Sequence, residues 1–306
     1  YRSRTLEENM MMIQGVKHMT DFEAKKAILD IGKRMYDKGF VASNDRNISC
    51  KVGTNAIWTT PTGVSKGFMT QDMLVKMDLS GKILLGKCKP SSEVKMHLRV
   101  YRENPEVQAV THAHPPVATS FAIAGIPLDK AVLTEAVMGL GTIPVARYAT
   151  PGTEEVPDSI ASFVNTHNGV LLANHGALTW GKDVYQAFYR LESVEYYATI
   201  LMYTGYIIER QNTLSSSQVE RLLEIRRKLG ITTGGIPSCT DVNQTDVQQQ
   251  RKNSTELAEP LNLKGVTRLM RPGDILQGQE EMPSAQDKSK EEIIREVVRR
   301  VLEQLK

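Results

Sequence analysis

The chain has 306 residues, 41% hydrophobic and 24% charged, with a formal net charge of +3; this is a globular balance with room for one sizeable domain and further segments. The charge is too small for a nucleic-acid footprint, and Lys and Arg are interspersed with Asp and Glu as on a solvated surface. No stretch approaches the roughly 20 apolar residues that span a bilayer, residues 10–13 are too short and poorly flanked for a signal peptide, and Cys50, Cys88 and Cys239 lie outside any C-x-x-C, so a soluble, cytoplasmic protein with reduced thiols and no membrane partner is expected.

In chain order, Phe22, Ala27, Ile28, Ile31, Met35 and Tyr36 follow helical spacing, which predicts a helix from Asp21 to Lys38 with Gly39 after its end. Short strands are expected around Ile48 to Val52 and Ala56 to Thr60. A helix opens at Ser91, with serine as N-cap and Glu93 near the positive end of its dipole. Val107 to Thr111 and Gly169 to Ala173 read as strands, and Val184 to Tyr203 and Gln218 to Lys228 as amphipathic helices. This alternation predicts one α/β domain over residues 1–232. Residues 233–289 are rich in Ser, Thr, Gln, Asn, Gly and Pro with weak periodicity, and read as a polar, largely flexible linker. Residues 290–306 then place Ile293, Ile294, Val297, Val298, Val301, Leu302 and Leu305 on one side of a short helix and charged residues on the other. Such a tethered helix is expected to lay its apolar stripe in a partner's groove; docking on its own subunit is the alternative.

The chemistry concentrates in Thr111-His112-Ala113-His114-Pro115 and Asn174-His175-Gly176. Residues two apart on a strand point the same way, so His112 and His114 can offer imidazoles to one point about 7 Å along the chain, where a distant third histidine completes a transition-metal site. Three imidazoles leave one position open, the arrangement of a catalytic zinc. The plainer alternative is a His-x-His pair that merely ends a half-buried strand. Ser91 and Ser92 at a helix start, and the Thr62-Gly63 turn, supply the backbone donors that a phosphate group needs.

Six motifs in order between about Asp21 and Gln211 carry a resemblance: Asn47-Ile48-Ser49, Thr60-Pro61-Thr62-Gly63, Pro90-Ser91-Ser92-Glu93, the His-x-His, Tyr148-Ala149-Thr150-Pro151-Gly152-Thr153 and Asn174-His175-Gly176. Together they resemble the class II aldolase and adducin family, which includes the L-fuculose-1-phosphate aldolases, the L-ribulose-5-phosphate 4-epimerases and the adducin head domain, and within it the aldolases most. The resemblance implies a three-layer α/β/α domain with a central mixed sheet, assembled as a homotetramer with active sites at subunit boundaries. It implies that Zn2+ is held by His112, His114 and His175, with Glu93 as fourth ligand and catalytic acid/base. It also implies a phosphate cradle of Asn47, Thr62, Gly63, Ser91 and Ser92. The expected reaction is reversible cleavage of a deoxyketose 1-phosphate, L-fuculose 1-phosphate foremost, to dihydroxyacetone phosphate and lactaldehyde.

Glutamate at 93 resembles the aldolases, whereas the epimerases carry aspartate there. A zinc-dependent sugar-phosphate dehydratase could use much the same site, and a non-enzymatic adducin-like module is disfavoured by the three histidines. Two departures stand out: Arg46 precedes Asn47 where the aldolases commonly have glycine, and residues 132–141 contain no tyrosine to serve as proton donor, Glu135 being the titratable group there. His97, one helical turn after Glu93, could stand behind that carboxylate, although an ordinary helix residue is the favoured reading; His18 and His167 are expected to be structural or surface. The terminal helix resembles the encapsulation peptides that load enzymes into bacterial microcompartments, which implies a shell protein as partner and the compartment lumen as location.

Overall fold

The computed structural model describes residues 19–41 and 46–239. Helix α1 (Asp21–Asp37) starts where Thr20 and Glu23 form a reciprocal capping box, which satisfies two amides that the first turn leaves orphaned. It buries Ala24, Ala27, Ile28, Ile31 and Met35, and Gly39 in the left-handed region (φ 70°) follows its end. Two apolar residues counted in the same period face outward. Phe22 is 64% exposed, and Tyr36 sits edge-on to Phe68.

Strands β1 (Asn47–Val52), β2 (Ala56–Thr59), β3 (Val75–Asp78) and β4 (Ile83–Leu85) follow, then helix α2 (Val94–Glu103), β5 (Ala109–Ala113) and helix α3 (Pro116–Ala124). The chain continues through β6 (Val145–Ala146), helix α4 (Glu155–Ile160), β7 (Gly169–Leu172), β8 (Gly176–Gly181) and helices α5 (Val184–Met202) and α6 (Ser216–Lys228). All eight strands form one sheet in the order β4-β3-β2-β1-β5-β8-β7-β6. Every pairing is antiparallel except β6 with β7, so the sheet is mixed, as expected.

Alternation along the strands sorts the core into two layers. Ile48, Cys50, Trp58, Ala109 and Ala177 pack with α1, α3 and α5. Ile57, Met77, Val110, Leu178 and Trp180 pack with α2 and α4 on the opposite face. The domain is therefore the three-layer α/β/α arrangement. Cys50 is buried, and Cys88 and Cys239 are half-buried.

Two boundaries differ from expectation. Helix α2 begins at Val94 rather than Ser91: Glu93 occupies the cap position, and Ser91 Oγ accepts from the Glu93 amide at 3.3 Å in a turn that precedes the helix. Beyond α6, residues 231–239 run back over the domain. Gly234 donates to Thr166 O and its carbonyl accepts from Thr142 N, while Ser238 pairs with Asp129 and Ala131. Arg226 fixes this strap by donating to the carbonyls of Gly234 and Gly235. The first residues expected for the linker, 233–239, are thus hydrogen-bonded to the domain. The rest of the linker and the expected helix at 290–306 lie outside the described residues, as does His18. No helix among the described residues is long and apolar enough to cross a membrane.

Candidate metal centre and phosphate cradle

Strand β5 carries His112 to its end, and His114 follows just beyond, where its amide donates to Phe40 O. Their Nε2 atoms lie 3.1 Å apart. His175 occupies the tight turn between β7 and β8, where Leu172 pairs with Gly176 and Asn174 takes the left-handed conformation (φ 58°) that asparagine tolerates better than most residues. One ring nitrogen from each of His112, His114 and His175 lies within 4.8 Å of the others. The two strand termini supply these imidazoles because β5 and β8 are adjacent, with Ala113 opposite Ala177.

Gly176 makes that adjacency possible. A Cβ there would stand 2.4 Å from His114 Cδ2 and 2.6 Å from Ala113 O, so a side chain would collide with both the ring and the strand that carries it. The glycine of the Asn-His-Gly motif is therefore a packing requirement of the histidine cluster.

Glu93 enters from the start of α2. Its Oε1 lies 2.9 Å from His175 Nε2 and its Oε2 3.6 Å from His112 Nε2. Asn47, paired directly with His112 across β1 and β5, donates to Glu93 Oε2 at 2.9 Å and to Ser91 Oγ at 3.2 Å. Asn47, assigned by resemblance to the phosphate cradle, thus also orients the carboxylate. Burial favours the neutral acid, but the His175 hydrogen bond and the neighbouring imidazoles outweigh it and hold the Glu93 carboxyl below the usual range.

His112 and His114 are held neutral, the form in which an imidazole can bind a metal. Burial holds His112 well below its ordinary pKa and pushes His114 to about 2; neighbouring histidines and Arg46 act in the same direction. The Ala177 carbonyl, 2.9 Å from His112 Nδ1, accepts its proton and leaves Nε2 as the donor atom. Three imidazoles and a carboxylate fit zinc.

Behind Glu93, one face of α2 is matched to one face of β1. Glu93, His97 and Tyr101 recur every four residues, about 6 Å apart along the helix, and Asn47 and Ser49 every two, about 6.6 Å apart along the strand. Ser49 Oγ lies 2.8 Å from both His97 Nδ1 and Tyr101 OH. His97 is wholly buried, burial pushes it to about 3, and as a neutral imidazole it ties α2 to β1 through Ser49 one turn beyond Glu93. Spacing from Glu93 singles out His97 in the sequence, and the same four-residue step is the signal that leads on to Tyr101. His167, packed near the 231–239 strap and pushed to about 4 by burial, is structural as expected. Glu135 is exposed, its carboxylate accepting from Thr134 Oγ1.

The cradle residues converge through backbone pairing. Ser91 N donates to Thr60 O and Thr62 N to Lys89 O, with Pro61 opposite Pro90, so the Thr62-Gly63 turn lies beside Ser91 and Ser92. Thr62, Gly63 and Ser92 are exposed while Ser91 is 8% exposed. Gly63 has φ 71°, a conformation that glycine adopts without strain. The 148–153 segment flanks this end of α2, where Lys95 reaches Gly152 O and pairs with Glu154.

The sequence profile described as Class II Aldolase and Adducin N-terminal domain matches residues 26–202. The chain is 34% identical over 167 residues to L-fuculose phosphate aldolase of Methanococcus maripaludis, covering 55% of this chain and 89% of that protein. It is 31% identical over 181 residues to 3-oxo-tetronate 4-phosphate decarboxylase of Haemophilus influenzae, covering 58% and 86%. Among solved structures, an L-fuculose 1-phosphate aldolase superposes with a TM-score of 0.62 at 30% identity, over 68% of this chain and 98% of the other.

Proposed function

Given that the chain belongs to the class II aldolase and adducin N-terminal domain family, we propose that it is a zinc-dependent aldehyde-lyase that cleaves a deoxyketose 1-phosphate, L-fuculose 1-phosphate foremost. The observation that carries this reading is the convergence of His112, His114, His175 and the Asn47-held carboxylate of Glu93 beside the Thr62-Gly63 turn. His112, His114 and His175 would hold the zinc, which would supply Lewis-acid stabilisation for negative charge on the ketose oxygens. Glu93 would stand beside the three imidazoles as a further ligand, and its carboxylate would be the acid/base for the substrate. Breaking the C3–C4 bond turns the C4 hydroxyl into the aldehyde with loss of its proton and leaves C3 in need of one; the Glu93 carboxylate, hydrogen-bonded by Asn47, would take up a proton and pass it to C3. Asn47, Thr62, Gly63, Ser91 and Ser92 receive the phosphate.

A second reading has a specific observation in its favour. The 31%-identical decarboxylase relative handles a 3-oxo acid, and loss of carbon dioxide from such a substrate leaves a similar electron-rich carbon to protonate. Product analysis on a panel of phosphorylated ketoses and 3-oxo acids separates the two. Equal amounts of dihydroxyacetone phosphate and lactaldehyde from L-fuculose 1-phosphate are expected; carbon dioxide, an epimer or a dehydrated ketone as main product would replace the aldolase reading.

We further propose a homotetramer in the cytoplasm, with residues 290–306 recruiting it to a microcompartment shell protein and so to the lumen. Exposed Tyr203, Tyr206, Ile207 and Ile208 support burial of that surface against further copies. Removing residues 290–306 should leave the sedimentation coefficient, zinc content and turnover unchanged while abolishing co-sedimentation with shells. Loss of the tetramer on truncation would instead assign that helix to the fold.

A further inference from the structure

Lys66 is the most deeply buried lysine among the described residues, 1% exposed, and it is outside the site as drawn so far. It opens a short turn of helix, Lys66–Phe68, directly after the candidate phosphate loop. Its Nζ donates to Pro61 O at 3.2 Å and to Val64 O at 2.6 Å. Those carbonyls flank Thr62 and Gly63 on either side, so the ammonium closes a ring behind the turn. Thr62 and Gly63 remain exposed at its front.

The clamp is itself wedged in place. A Cβ on Gly32 of α1 would stand 2.7 Å from Lys66 O, and one on Gly67 2.6 Å from the Tyr36 ring. The loop is thus held from α1 through Lys66, and from the Lys89–Ser91 segment through Thr62 N and Ser91 N. Removing an ammonium from water is costly unless hydrogen bonds replace its hydration. A buried ammonium that bridges the two ends of one exposed turn is a device for fixing the shape of that turn.

We propose that Lys66 is a positioning residue for anion binding: it sets the Thr62-Gly63 turn in the conformation that receives a phosphoryl group and places positive charge behind it. This rests on reading Thr62 and Gly63 as part of the phosphate cradle. The test measures inorganic phosphate binding to the zinc-loaded full-length protein by calorimetry, so it does not depend on knowing the substrate. Lys66→Met, which keeps the stem and removes the charge, should weaken phosphate about tenfold or more, the scale of lost hydrogen bonds to a charged group, with zinc content unchanged. Lys66→Arg should restore part of the affinity. Gly32→Ala, which pushes on Lys66 from behind, should weaken phosphate in the same direction and carries the test if Lys66→Met does not fold. Unchanged phosphate affinity in a folded Lys66→Met, or in Gly32→Ala where the first variant fails to fold, overturns the role of Lys66. Absence of phosphate binding by the wild-type protein overturns the cradle itself, and with it this inference.

Discussion

Glu93→Gln should retain zinc and lose turnover by roughly 10² to 10⁴, the range for removal of a general acid/base. The substitution preserves size and can still accept from Asn47 Nδ2, which now meets Glu93 Oε2 at 2.9 Å, so the pocket should keep its shape. The imidazoles of His112, His114 and His175 remain as ligands. What is lost is the ability to carry a proton to and from C3. The diagnostic measurement is exchange of the C3 proton of dihydroxyacetone phosphate in deuterated water, which needs no aldehyde. Exchange at the wild-type rate in Glu93→Gln would remove Glu93 from the role assigned to it.

Gly176→Ala should cost as much activity as loss of a ligand, although residue 176 has no side chain to offer. The added methyl would meet His114 Cδ2 at 2.4 Å and Ala113 O at 2.6 Å, both inside any real contact distance. Ala113 O belongs to the end of β5, paired with β8 at Ala177, and can yield only by opening the sheet where His112 is also held. Overpacking of this kind costs about 1–3 kcal/mol, so the fold should survive, and the ring of His114 is the part free to move. Zinc affinity should fall by at least the 10–100-fold typical when support of a ligand is disturbed. Gly63→Ala is the contrasting variant: nothing lies within 4 Å of the new Cβ, and only the positive φ resists it, so its zinc content should be unchanged. Wild-type zinc affinity in Gly176→Ala would show that the ring and strand accommodate the methyl.

Long periodic elements were legible in the sequence and short ones were not. Helix α1 was placed within a residue of its observed end because its buried residues recur at helical spacing and Gly39 breaks it; α5 and α6 were found for similar reasons. β3, β4, β6 and β8 were not singled out, since strands of two to six residues hold too few positions for a period to emerge. The start of α2 was placed three residues early because a serine that caps a preceding turn through its hydroxyl looks, in sequence, like one that caps the helix. In the site, His112 and His114 were legible from local spacing alone. His175 needed the motif, because its proximity depends on β5 and β8 being neighbours although far apart in the chain, Ala113 pairing with Ala177. Asn47 as a carboxylate support, Gly176 as a spacer and Lys66 behind the phosphate turn are visible only once strands are paired. The family resemblance favoured an aldolase, and the decarboxylase relative at nearly the same identity shows why motif residues shared across the family do not by themselves choose the substrate.

The measurement that bears most directly on the metal-dependent site is zinc stoichiometry taken alongside L-fuculose 1-phosphate cleavage, before and after exhaustive chelation, in the wild-type protein and in His175→Ala. One zinc per chain and cleavage to dihydroxyacetone phosphate are expected in the wild type, both lost on chelation and both restored by added zinc, with neither present in a folded His175→Ala. Full cleavage by the chelated wild-type protein, or a normal zinc complement and activity in His175→Ala, would contradict the account.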